Sequence, residues 1–295
     1  AELAKIIQRK VLANGLEVIV VENHGVPLAT IEIDVKNGSF TQTPEYEGLA
    51  HMYEHMFFKA DSIYPEPNQF WDRASDLGAI FNGTTTEERV NYYMTVPSEK
   101  LADAIQLVAS AIRAPLFRRD ELERERQVVI GEYDRYDSNP FSALDRQTTA
   151  RLYPGNFSRK NIIGNRQIIL TTTPEKMRFI QGKYYIPNNS ALIVAGDVNP
   201  TAVFALAARE LGQWSRGADP FVSDPIPAIP PLQKSEGVVV EAGVGAVTVQ
   251  VQWQGPSVGQ DPKSTYAADV FSDVMNDPRS QFQQRLVDSG LWQGV

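Results

Sequence analysis

GLEVIVVENHGVPLATIEIDVKNGS, residues 15–39, carries two runs rich in Val and Ile on either side of Asn23, His24 and Gly25. β-Branched residues at that density, divided by turn formers, read as two strands joined in a hairpin. EGLAHMYEHMFF (47–58) follows as a helix, NQFWDRASDLG (68–78) as a shorter one, and AIFNGTTTEERVNYYMTVP (79–97) as two more strands split by a polar turn. Downstream, SEKLADAIQLVASAIR (98–113) repeats Leu101, Ile105, Val108 and Ile112 at helical spacing. DELERERQVVIGEYDRY (120–136) is a second long helix, opened by Asp120 and Glu123 in capping-box spacing. TTTPEKMRFIQGKYY (171–185) is a helix started by Thr173 ahead of Pro174, and SALIVAGDV (190–198) is a buried strand feeding a helix near Pro200. Strands and helices mix without regular βα alternation. The expected fold class is therefore α+β, an antiparallel sheet covered by helices on one face.

The chain of 295 residues suits two domains, and 42% hydrophobic residues suffice for a large core. Between 219 and 236 the composition shifts: Pro220, Pro225, Pro227, Pro230 and Pro231 crowd a segment that reads as an extended linker, neither helix nor central strand. GVVVEAGVGAVTVQVQWQGPS (237–257) and STYAADVFSDVM (264–275) then repeat the opening order of strand, turn, strand, loop and helix. The expected organisation is a first α+β domain at 1–218, a linker at 219–236, and the start of a similar half at 237–295. Setting Ala267 against Ala50 puts Ala268, Phe271 and Ser272 opposite His51, Glu54 and His55. The second copy thus holds no metal ligands, and it is expected to be cut short or completed by another chain.

A net charge of −8 and a pI near 5.1, without a Lys/Arg stripe, argue against nucleic acid as a partner. No apolar run reaches the roughly 20 residues of a membrane-spanning helix. Cysteine is absent, so any metal must be held by His, Asp or Glu. The lack of an initiator Met and of Cys fits a matured periplasmic protein, with a cytoplasmic one as the alternative.

Two of the chain's three histidines, His51 and His55, lie four residues apart, so one helical face aims both imidazoles at one point. Paired imidazoles suit zinc, and a catalytic zinc takes three protein ligands and an open position. Glu54 shares that face and can act as general base on a zinc-bound water. The pattern is H-x-x-E-H, the inverted counterpart of the H-E-x-x-H zinc helix. A third ligand is offered by the helix at 120–137, where Glu125 and Glu132, seven apart, share a stripe with Leu122, Val128 and Val129. Ionised carboxylates on an apolar stripe call for a cation or for solvent.

H-x-x-E-H followed, 77 positions after His55, by Glu132 within ERQVVIGE (125–132) resembles the pitrilysin family of zinc peptidases. KNGSFTQTPEYEGLAHMYEHMFFK (36–59) and YYIPNNSALIVAGDVNP (184–200) are similar to that family as well, and the resemblance covers about residues 8 to 215 and, more loosely, the duplicated half. The resemblance implies a fold of two similar halves and one zinc ion held by His51, His55 and Glu132. It implies Glu54 as the base, Glu125 as a carboxylate orienting a ligating histidine, and Asn82 and Gly83 as binders of substrate backbone on an edge strand. It also implies a peptide substrate and a homo- or hetero-dimer with a family partner. One departure stands out. Where the family's second half has an Arg and a Tyr flanking a glycine, alignment on Gly290 gives Leu286 and Gln293, and Arg285 next to the first is turned about 100° away on a helix. The expected function is a zinc endopeptidase acting on peptides or unfolded segments; the alternative is a non-catalytic or partner-dependent subunit of a hetero-oligomeric complex.

Overall fold

A computed structural model describes residues 6–295. The chain divides into two compact units, one reaching to Ile229 and including Val239–Gly243, the other made of Pro230–Val238 and Val244–Val295.

In the first unit, strands β1 (Ile7–Val11), β2 (Glu17–Glu22), β3 (Leu28–Val35), β4 (Ile80–Thr85), β5 (Val90–Pro97) and β6 (Ser190–Gly196) form one sheet in the order β1-β2-β6-β3-β5-β4. Alternate residues are buried: Ala29, Ile31, Ile33 and Val35 on β3, Val90, Tyr92, Met94 and Val96 on β5, Leu192 and Val194 on β6. That period of two defines one core face. Helices α1 (Leu49–Phe57), α2 (Gln69–Asp76), α3 (Leu101–Arg113), α4 (Arg119–Asp137), α5 (Ser142–Leu152), α6 (Arg166–Thr171), α7 (Pro174–Tyr184) and α8 (Pro200–Leu211) complete the unit. Of these, α1 packs on β4 and β5, α3 on β3 and β5, and α8 on β2. The α+β expectation holds.

The hairpin expected at residues 15–39 does not form. β2 and β3 are both strands, but β6 lies between them, parallel to β2 and antiparallel to β3, so the sheet is mixed. The physical reason is burial. Leu192 and Val194 are nearly inaccessible, and a strand that apolar is best covered with a ladder on each edge. The loop from β2 to β3 therefore spans two strand spacings, about 10 Å, and is tied to β6 where Asn23 N donates to Gly196 O at 2.8 Å. β2 instead forms its hairpin with β1, through Gly15 at φ +93°, and the expected pair β4 and β5 forms a second one.

Two local expectations also fail. Arg118, not Asp120, is the N-cap of α4, and no side chain caps it, because the Asp120 carboxylate is taken by Arg118 and Arg124, each at 3.3 Å. Within the proline-rich stretch, Pro220–Ser223 makes one helical turn, with Asp219 accepting from Phe221 N; proline is tolerated at a helix's first position.

On the sheet's other face Asp34 of β3 stands across from Asn91 of β5. Asp34 Oδ1 and Asn91 Oδ1 are both buried without a hydrogen bond, and Arg89 Nε is 3.5 Å from the former. Burial, reinforced by Glu32 and opposed by Arg89, raises the Asp34 carboxyl to about 6. A carboxyl whose folded pKa exceeds its unfolded value costs stability as pH rises through that interval, here from about 4 to 6. Asp34→Asn is expected to stabilise the unit at pH 7 by on the order of 2 kcal/mol and to be neutral below about pH 4. Thermal melts at the two pH values check this; a variant no more stable at pH 7 than wild type refutes it.

The second unit contains helix α9 (Pro262–Asn276), a turn at Gln281–Gln283 and a π-helical turn at Gln284–Asp288. The helix at 264–275 is as expected, but the two strands expected at 237–257 are not formed among the described residues. Val247, Val249 and Val251 are 83, 61 and 74% exposed. Strand propensity alone does not fix a strand; its N–H and C=O groups need a neighbouring ladder, and none of the described strands runs beside this segment.

Candidate metal centre

Helix α1 is fixed by its buried side. Leu49, Ala50, Met52, Tyr53, Met56 and Phe57 are nearly inaccessible, Tyr53 stacks on Tyr185 and Phe57 on Tyr92, each at 3.7 Å between ring centres. What remains is the edge carrying His51, Glu54 and His55, all half-buried. Helix α4 crosses α1 with Leu122 and Val129 fully buried, while Val128, expected on the same stripe, is 48% exposed. This packing presents Glu125 and Glu132 to the histidines.

His51 Nε2 and His55 Nε2 are 3.3 Å apart, and Glu132 Oε2 lies 3.4 Å from the first and 3.6 Å from the second. These three atoms suit one ion: a tetrahedral zinc with bonds of about 2.05 Å separates its ligand atoms by about 3.3 Å. The donor set is also zinc-like, two imidazoles and a carboxylate. Among the described residues no other group of three His, Cys, Asp or Glu converges in this way. Burial, with the neighbouring His55, lowers His51 to about 4, so its imidazole is neutral at pH 7 as ligation requires.

Glu125 stands behind His55. Its Oε2 is 3.2 Å from His55 Nδ1 and its Oε1 2.5 Å from Lys59 Nζ. Burial works against its charge, but hydrogen bonds from His55 and Lys59 prevail and hold the carboxyl below its usual range. The same carboxylate, with Glu132 and Glu54, raises His55 against the lowering effect of burial. By accepting from Nδ1, Glu125 leaves Nε2, the nitrogen facing His51 and Glu132, available to a metal.

Glu54 faces the same cleft. Burial raises its carboxyl, against a hydrogen bond from Thr85 Oγ1 to Oε2 at 2.6 Å. Oε1 accepts no hydrogen bond among the described residues. Gly83 makes room for this side chain, since a Cβ there would lie 2.8 Å from Glu54 Cγ. β4 is an edge strand of the sheet, and Gly83, Thr84 and Thr85 line a cleft of about 760 Å³ together with His51, Glu54 and Glu132.

Asn82 does not join them. It is exposed, points to the opposite side of β4 from Gly83, and its Oδ1 accepts from Gly83 N at 2.9 Å. His24, the third histidine, is exposed and bound to Asp197 at 2.6 Å and Glu22 at 2.8 Å, which raise its pKa. Leu286 and Gln293 belong to the second unit. Two contributors went unnoticed in the sequence, Thr85 and Lys59. Both had a signal: Thr85 is two residues from Gly83 on a strand, and Lys59 is four from His55, just past the end of its helix.

The family model described as Insulinase (Peptidase family M16) matches residues 17–164, and that described as Peptidase M16 inactive domain matches 171–295. The zinc protease PqqE of Helicobacter pylori is 27% identical over 286 residues, covering 94% of this chain and 63% of that protein. The mitochondrial-processing peptidase subunit beta of Dictyostelium discoideum is 26% identical over 188 residues, covering 64% and 40%. Among solved structures, a protease from Helicobacter pylori has a TM-score of 0.78 at 24% identity, covering 96% and 68%, and the periplasmic protease PqqL of Escherichia coli 0.67 at 21%, covering 72% and 24%. The chain spans about half the length of several curated relatives it matches. With the first family model taking in half of its residues, the chain belongs to the insulinase family, peptidase family M16, the pitrilysin-type zinc metallopeptidases.

Proposed function

We propose that the chain carries the zinc site of an endopeptidase that hydrolyses peptides or unfolded polypeptide segments, with His51, His55 and Glu132 holding one zinc ion and Glu54 acting as general base. The observation that carries this reading is the 3.3, 3.4 and 3.6 Å triangle of ligand atoms beside a carboxylate free at one oxygen. Zinc bound there would supply Lewis acidity, lowering the pKa of a water toward about 7 and polarising the scissile carbonyl. Glu54 takes the proton of the attacking water on Oε1 while Thr85 holds Oε2, and it returns that proton to the leaving amine. Its raised pKa suits a group that must both accept and give a proton. β4, an edge strand with Gly83 and Thr84 on the cleft, lines up an extended substrate by backbone pairing.

The processing-peptidase relative is by name one subunit of an enzyme, which supports a family partner for this chain. That partner would bring the Arg and Tyr absent at Leu286 and Gln293. A periplasmic location is the companion proposal, supported by the likeness to PqqL. Metal analysis and cleavage of an unstructured fluorogenic peptide, with and without any co-purifying partner, test the reading. One zinc per chain and cleavage abolished by chelator and restored by zinc are expected; a purified protein that takes up no zinc sinks it.

Gly83→Ala tests the seat of the base. The added methyl must push Glu54 aside, and a displacement near 1 Å costs about 100-fold in rate when it misplaces a reacting group. Zinc content should be unchanged and kcat/KM should fall at least tenfold. An alanine variant with wild-type kcat/KM would remove Gly83 from the argument.

A further inference from the structure

Helix α4 runs on past Glu132, and Arg135 and Tyr136, three and four residues later, share its face. Both line the cleft that holds His51 and Glu54. The carboxylates nearest in sequence are occupied: Asp134 pairs with Arg166 at 3.4 Å, Asp137 with Arg146 at 2.7 Å, and Asp145 accepts from Tyr136 Oη at 3.0 Å. Among the described residues the Arg135 guanidinium has neither an ion pair nor a hydrogen bond. Among the described residues the Lys160 ammonium, on the same cleft, has only the Tyr153 ring, 4.9 Å away. Glu87 also lines the cleft and forms no ion pair with either cation.

We propose that Arg135 is a specificity-determining residue that receives a carboxylate of the peptide substrate. The inference rests on the endopeptidase reading and adds a substrate class to it. A guanidinium offers a planar fork of donors that fits a carboxylate bidentately, and this one is left without an internal acceptor. Three residues of helix advance about 4.5 Å from Glu132, and an extended peptide advances about 3.3 Å per residue. The preferred carboxylate is thus an Asp or Glu within about two residues of the scissile bond, or the substrate's own C-terminus if that falls there.

The test uses the full chain and peptides that differ at one position near a single cleavage site, carrying Glu, Gln or Lys, each with a free or an amidated C-terminus. Cleavage is read as kcat/KM, and binding as Kd with the zinc-loaded Glu54→Gln variant. At one position Glu should be favoured over Gln about tenfold. Arg135→Gln should bring that ratio close to one, and Arg135→Glu should turn it toward Lys. A preference that follows the free C-terminus rather than the side chain, and is lost in Arg135→Gln, supports the proposal and names the other source of the carboxylate. Equal handling of Glu and Gln peptides, or a preference that survives Arg135→Gln, overturns it while leaving the endopeptidase intact. Failure to bind or cut any peptide overturns both.

Discussion

Glu54→Gln will keep its zinc and lose turnover, by roughly 10²–10⁴ in kcat. The change exchanges one oxygen for an amide nitrogen and removes the only carboxylate on the cleft's α1 wall that can take a proton from water. It should disturb little else. The Gln carbonyl can still accept from Thr85 Oγ1, which now bonds Oε2 at 2.6 Å, and the space against Gly83 is filled as before. Burial already disfavours the charged form of Glu54, so a neutral side chain there should not lower the melting temperature. The proposed zinc ligands lie on either side of position 54 in sequence but use their own atoms. Metal content, thermal melt and peptide turnover measured on one preparation decide the matter; turnover within tenfold of wild type would show that another group moves the proton.

Glu132→Ala attacks the ion instead. Removing one of three ligand atoms should weaken zinc by more than the 10–100-fold associated with loss of an outer partner such as Glu125. The effect is also visible without any substrate. A ligand present at 1,000 times its Kd stabilises the folded state by about 4 kcal/mol, and for a unit of this size that raises Tm by about 8–16 °C. Wild-type protein should show such a shift on adding zinc, and Glu132→Ala should show little of it. A variant that keeps the full shift would mean that Glu132 is not a ligand. Because Glu132 is one-third exposed and α4 is anchored by Leu122, Val129 and Ile130, the metal-free variant should still fold.

The two histidines one turn apart, the glutamate between them and the acidic pair on the later helix were all legible from spacing, because i and i+4 fix a common helical face wherever the helix goes. That the later helix delivers Glu132, rather than Glu125, to the ion-sized triangle depends on how α4 crosses α1, which no local pattern encodes. Thr85 and Lys59 escaped notice for a related reason. A threonine on a strand and a lysine after a helix have many ordinary roles, and only the fold brings them to Glu54 and Glu125. Asn82 shows the converse: next to Gly83 in sequence, it is exposed and its side chain turns to its neighbour's backbone rather than lining the cleft.

The sequence by itself determined most of the strands and helices of the first unit, though not β1, α5 or α6, along with the H-x-x-E-H spacing of His51, Glu54 and His55 and the likeness to the pitrilysin peptidases, because side-chain period and ligand spacing are local quantities. Only the tertiary structure decided that β6 enters between β2 and β3, that the Val-rich stretch after the prolines forms no strand, and which side chains stand behind the ligands. Those outcomes depend on which backbone edges and apolar faces find partners far along the chain, and competition among distant partners leaves no mark in any short window of residues.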